Sequence, residues 1–248
     1  MISVDKHGHV DTKQRMQGVT TEAPRRALLK DLPEAERERA AVIVAACHTS
    51  TLEPRVPNFH GRFPQGAFLA IEGGFVVLRA STPAASRSII TCEAGPGRIV
   101  LPPSPDEVLV ALTKASVTAI DVAARNELLR LPSFADLVVD QLSFALRQKQ
   151  EAIANLASPR HVERVRLKLL QLAQGYGHVV RDGIRIDFPL SHALLAQMIA
   201  SSRETVTRAL DELERSGFVV REGGSYRLLG PAEALLAPAR SSAFTTPV

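Results

Sequence analysis

The sequence predicts an α+β protein with an N-terminal antiparallel β-roll, a long helix, and a C-terminal pair of short helices followed by a hairpin. Three observations carry this. Short β-rich runs alternate with Gly/Pro turns between Thr51 and Ala123. Apolar residues recur at helical spacing from Pro132 to about Ala157. The run LSHALLAQMIASSRETVTRALDELERSGFV, Leu190 to Val219, reads as two helices across a tight turn.

In chain order, residues 1–26 are polar and without period, and are expected to form a tail. His7 and His9 within it are too few and too loosely held for a metal site. Residues 27–131 are expected as the roll. A helical pattern from Ala27 to Cys47, with Pro33-Glu34-Ala35-Glu36 opening a helix, precedes the strands. The expected strands are Ala67 to Ile71, Phe75 to Leu78, Ser88 to Cys92, Val108 to Leu112 and Ser116 to Val122. Glu72-Gly73-Gly74 and Ala94-Gly95-Pro96-Gly97 are turns between them. Pro132-Ser133 opens the helix expected over 132–157, on which Val138, Leu142, Leu146, Ile153 and Leu156 form a seam suited to a second copy. Lys149 interrupts that seam. Ser158-Pro159 reads as a hinge into residues 158–248. There, Val162 to Ala173 reads as an amphipathic helix and Ile184-Arg185-Ile186 as a strand.

The chain has 248 residues, 45% of them hydrophobic, and a net charge of +4, which allows a polyanionic partner without requiring one. From Ser158 onward, 12 Lys and Arg stand against nine Asp and Glu, so the positive excess lies mostly in the C-terminal part. Cys47 and Cys92 are the only two cysteines, too few for a disulfide framework or a zinc site, and read as small buried hydrophobes. No stretch is apolar and long enough to span a bilayer, and the polar N-terminus lacks a signal-peptide core, so a cytoplasmic protein is expected.

The C-terminal segment carries the chemistry. Ser191 can cap a first helix running to about Ile199, with Leu194, Leu195 and Met198 on its apolar face. Ala196 is small enough for close helix packing, and Ala200-Ser201-Ser202 is the turn. Ser201 and Glu204 fit a capping box that starts the second helix at about Ser202. Val206, Leu210 and Leu213 form its buried stripe, leaving Arg203, Glu204, Thr207 and Arg208 outside. Arginine can donate two bonds to a guanine edge and glutamate can accept from cytosine. Ser202, Thr205 and free helix-start N–H groups suit phosphate. Phe218 to Arg221 and Tyr226 to Leu229, around Gly223-Gly224, read as a hairpin wing whose Arg221 and Arg227 face either phosphate or solvent.

On Ser202-Arg203-Glu204-Thr205-Val206, Arg208, Leu213-Glu214 and Gly217-Phe218-Val219, the segment resembles the winged helix-turn-helix of the cyclic-AMP receptor protein/FNR (Crp/Fnr) superfamily of bacterial regulators. The resemblance implies a non-enzymatic, DNA-binding transcription regulator. Base contacts would fall to Arg203, Glu204 and Arg208, and backbone contacts to Ser191, Ser202, Thr205, Thr207, Arg221 and Arg227. It also implies a cyclic-nucleotide-binding-like roll, a homodimer joined by the long helix on a two-fold operator, and RNA polymerase as a partner. Ala200 departs from the glycine many members carry in the turn; a positive φ there costs alanine.

A nucleotide-binding roll of that family needs Gly-Glu and a following Arg with Ser or Thr. Here Gly97 is followed by Arg98, and Pro105-Asp106-Glu107 lies where the arginine pair belongs. Carboxylates repel a phosphate and prolines donate no N–H, so cyclic AMP is not expected to bind in the family manner. No cofactor is expected. Two cysteines cannot hold a four-cysteine iron–sulfur cluster in one chain, and His48 and His60 are isolated candidates for a haem ligand. Two other classes remain open. A cupin-like enzyme needs converging metal ligands, but only His60 lies between Thr51 and Ala123. A winged helix that docks protein would carry an apolar or acidic exposed face.

Overall fold

The computed structural model describes residues 27–81, 88–157 and 160–236. The tail with His7 and His9, the Ser158-Pro159 hinge and the side chain of Leu156 lie outside the described residues.

A short 3-10 helix, Ala27–Leu29, is followed by α1 (Glu34–Ala45), entered through Pro33. The helical pattern of residues 27–47 is thus two pieces, because Pro33 can open a helix but not continue one. Then come β1 (His48–Leu52), β2 (Pro57–Phe59), β3 (Phe68–Gly73), β4 (Val76–Ser81), β5 (Ser88–Ala94), β6 (Ile99–Val100), β7 (Glu107–Ala111) and β8 (Ala115–Ile120). The strand expected over Ser116 to Val122 stops at Ile120. Asp121 caps α2 (Val122–Leu128) by accepting from Ala124 N, which turns the chain into a helix. The strands pair antiparallel in two sheets, ordered β1-β8-β3-β6 and β2-β7-β4-β5.

Strand alternation sends side chains to opposite faces of each sheet, and all four faces are used. Between the sheets lies an apolar layer including Leu52, Leu69, Ile71, Val117, Val76, Leu78 and Leu109. Outside the first sheet, Phe68, Ala70 and Ile120 meet Leu28, Val44, Leu128 and the start of α3 (Pro132–Ala157). Outside the second sheet, Val77, Ile90 and Val110 meet the C-terminal region. That region holds α4 (His161–Tyr176), β9 (Gly177–Val180), β10 (Gly183–Ile186), α5 (His192–Met198), α6 (Arg203–Arg215), β11 (Val219–Glu222), β12 (Ser225–Leu229) and α7 (Ala232–Leu236). Its strands form one antiparallel sheet, ordered β11-β12-β10-β9.

Val138 departs from the expected seam. It is 6% exposed and packs with Phe134 and Leu131 in its own protomer. The uncovered line starts one residue later: Val139, Leu142, Leu146 and Ile153 are 60%, 48%, 59% and 69% exposed. Their spacing of three, four and seven is the heptad pattern of a helix seam, with Lys149 at the remaining position.

The C-terminal region packs directly against the roll. Its apolar core is continuous with the outer face of the second sheet. Lys168 of α4 forms a buried ion pair with Glu93 of β5, and the Tyr176 hydroxyl donates to Glu93 O at 2.8 Å. Phe75, Tyr176 and Phe188 stack beside it, with ring centroids 5.1 to 5.8 Å apart. Gly95 permits this approach: a Cβ there would stand 2.7 Å from the Phe75 ring. Burial pushes the neighbouring Cys92 thiol up to about 12, with Glu93 adding to the shift, although Cys92 and Cys47 are half-buried and not fully buried as expected.

Candidate nucleic-acid interface

α5 and α6 form the helix pair read from the sequence. Ser191 caps α5 by accepting from Leu194 N at 3.1 Å, and Leu195, Ala196 and Met198 are buried. Ala200 adopts φ +50, the left-handed conformation expected to cost alanine, and Ser201 N then donates to Ala196 O.

The capping box moves by one residue. Ser202, not Ser201, is the N-cap of α6. Its hydroxyl accepts from Thr205 N at 3.1 Å, while the Ser201 hydroxyl stands 3.4 Å from His161 Nδ1. The left-handed residue at 200 shifts the helix start by one, so that Ser202 takes the extended φ/ψ a cap requires. Glu204 therefore sits in the first turn of α6 and not at the box position. Hydrogen bonds from its own N–H and from the Ser202 hydroxyl, with Arg203 and Arg208 nearby, hold its carboxyl below the usual range.

α6 divides cleanly. Val206, Ala209, Leu210 and Leu213 are buried, while Arg203, Glu204 and Arg208 are exposed. A groove between α6 and the start of α4 is lined by Arg160, His161, Thr205 and Arg208, with Glu163 and Glu212 at its acidic side. Sequence reading passed over Arg160 and His161 because they belong to a different helix. Thr207 is half-buried, and its hydroxyl donates to Arg203 O at 2.9 Å and meets His192 Nδ1 at 2.8 Å.

The wing is the β11–β12 hairpin around Gly223 and Gly224, both at positive φ, as a two-residue turn demands. Its two arginines differ. Arg221 is exposed. Arg227 is held by Glu222 at 2.6 and 2.9 Å and by Asp182 at 3.5 Å, so its guanidinium is already occupied.

The region compared above with a nucleotide cradle is closed by its own contacts. Ile99 N donates to Gln141 Oε1 and Gly97 N to Ile71 O, while Gln141 Nε2 donates to Gly97 O. Ser104 N and Oγ both donate to Glu107. Burial opposes ionisation of Glu107, yet these bonds and one from Thr91 hold its carboxyl low. Arg98 lies 4.3 Å over the Phe144 ring. His60 Nδ1 is engaged with Pro103 O. Among the described residues no group of three or more His, Cys, Asp or Glu is placed to hold a metal, and no helix is long and apolar enough to cross a membrane.

Residues 163–233 match the family model of the Crp-like helix-turn-helix domain. The chain is 31% identical over 133 residues to a CRP-like cAMP-activated global transcriptional regulator of Mycobacterium tuberculosis, covering 52% of this chain and 59% of that protein. It is 32% identical over 111 residues to the global nitrogen regulator of Synechococcus elongatus, covering 44% of this chain and 50% of that protein. The chain thus spans between half and three-fifths of these relatives. Among solved structures, a CooA mutant from Carboxydothermus hydrogenoformans superposes with TM-score 0.66 at 17% identity, over 78% of this chain and 88% of that one. FixK2 from Bradyrhizobium japonicum does so with TM-score 0.62 at 18% identity, over 77% and 96%. These two likenesses show the fold.

Proposed function

Because the chain carries a Crp-like helix-turn-helix domain and has Crp/Fnr-type transcription regulators as homologues, we propose that it is a DNA-binding transcription regulator acting as a homodimer. The observation that carries this is α6: a capped helix whose apolar face is fully buried and whose first turns present Arg203, Glu204 and Arg208 to solvent. Those three residues read base edges in the major groove. Ser191, Ser202, Thr205 and Arg221 supply backbone contacts. Thr207 acts indirectly, through His192, and Arg227 braces the wing against Glu222 and Asp182. The second copy joins along Val139, Leu142, Leu146 and Ile153 of α3, continuing to Leu156, since four exposed apolar residues in heptad register are what a helix partner covers.

Residues 27–131 form the roll, 132–157 the dimer helix, and 158–248 the DNA-binding part with its hinge. Cyclic AMP is not the ligand of the Gly97–Glu107 segment, where Gly97 N, Ile99 N and the Ser104 N–H and hydroxyl already bond within the chain and Asp106 and Glu107 carry the charge of the phosphate itself. RNA polymerase is the further partner that a regulator of this type implies, and the cytoplasm its place of action.

Selection of bound sequences from a random duplex pool tests the reading. A two-fold symmetric consensus, unchanged by cyclic AMP, is the expected result. At that site Arg203→Ala should weaken binding by about 1–3 kcal/mol and relax base preference at one position. Equal binding by the variant would remove Arg203 from the contact set.

A further inference from the structure

We propose that His192 is a DNA-backbone contact that must take up a proton at Nε2 to receive a phosphate oxygen, so that DNA binding by this protein is linked to proton binding. This rests on the reading that the N-terminal end of α6 enters a DNA groove.

The geometry begins at Thr207. Its hydroxyl has one proton, and that proton goes to Arg203 O at 2.9 Å. The 2.8 Å contact between Thr207 Oγ1 and His192 Nδ1 is therefore made by the histidine donating. This fixes the tautomer. The proton of the neutral ring sits on Nδ1, and Nε2 carries a lone pair. No protein group among the described residues bonds Nε2. A lone pair repels a phosphate oxygen, whereas an imidazolium N–H donates to it in a charge-assisted bond.

The surroundings of the ring in the free protein favour its neutral form. On α6, Arg203 faces it, with Asp211 and Glu214 opposing; on β11, Arg221 faces it. No other residue of α5 is charged. The charged side chain on β5, which packs on α5, is Glu93, committed to Lys168. Partial burial, then Arg221 and Arg203, lower the affinity of His192 for a proton below its ordinary value, against Asp211 and Glu214. A DNA phosphate would reverse that balance by neutralising the two guanidinium groups and adding a negative charge. The group is thus mainly neutral in the free protein near neutral pH and protonated in the complex. Falling pH then tightens binding, by at most about tenfold per pH unit for each subunit.

Phosphate contacts carry no sequence information, so a mixed-sequence DNA duplex at low salt serves as the probe. With the full chain, binding should tighten on going from about pH 8 to pH 6, and His192→Gln should lose about 3- to 10-fold of that gain. His192→Arg should bind at pH 8 as tightly as the wild type does at pH 6. An NMR titration of the His192 ring in the wild-type protein adds a readout that needs no variant to fold: its midpoint should rise when duplex is present. Unchanged pH dependence in folded His192→Gln, or a ring titration unmoved by duplex, overturns this proposal while leaving DNA binding intact. Failure of the wild-type protein to bind duplex at any of these pH values overturns the parent reading as well.

Discussion

Two apolar surfaces of this chain meet opposite fates. The outer face of the second sheet, with Val77, Ile90 and Val110, is covered by the C-terminal region of the same chain and closed by the buried Lys168–Glu93 pair. The outer line of α3, with Val139, Leu142, Leu146 and Ile153, stays open to solvent. Both are aliphatic, but only the long helix reads from sequence as a face seeking cover. The first is continuous with a protein core and carries a buried charge that must be matched within the chain. The second is a single-helix stripe in heptad register, which only another helix in the same register fills well. Hydrophobicity states that a face will be covered; geometry states by what.

The contrast can be broken at either surface. The largest effect is expected at the intramolecular one. Glu93→Gln leaves the Lys168 ammonium buried without its carboxylate, which should cost about 3–5 kcal/mol of folding stability. Denaturant unfolding at several protein concentrations measures this, and the loss should not depend on concentration. A loss under about 1 kcal/mol would mean that water reaches Lys168 and that the two regions are loosely joined.

At the open surface, Leu146→Glu places a charge on the stripe. It should weaken self-association by roughly 100-fold, about 3 kcal/mol, while the protomer stays folded. Sedimentation across a concentration series reads it out. Association that survives the change would move the dimer to another face. The smallest effect is expected where the intramolecular surface is tightest. Gly95→Ala drives a methyl group into Phe75 and should cost about 1–2 kcal/mol in thermal unfolding, without changing self-association.

Much of this molecule is legible in its sequence. Ser191 as a cap, Ala196 as a packing residue and the Gly223-Gly224 turn follow from local chemistry, because each depends on backbone atoms within a few residues; Ala200 keeps the positive φ of a glycine turn in spite of its cost. The capping box slipped by one residue because Ser201 and Ser202 are both competent caps and the turn angle at Ala200 chose between them. β1, β2, β6 and β9 went unread, being short or polar and dependent on their neighbours for pairing. His192 was passed over because its meaning lies in a hydroxyl fifteen residues away on the next helix.

The roll-then-helix-then-helix-pair layout, the exposed arginines of the second helix and the Gly223-Gly224 turn were legible in the sequence alone, since propensity, capping and periodicity act over a turn or two of chain. Which valine of the Val138-Val139 pair faces outward, which wing arginine is already neutralised, and how the C-terminal region seals the roll were decided only in three dimensions. Each of those outcomes depends on groups far apart in sequence competing for the same space or the same charge.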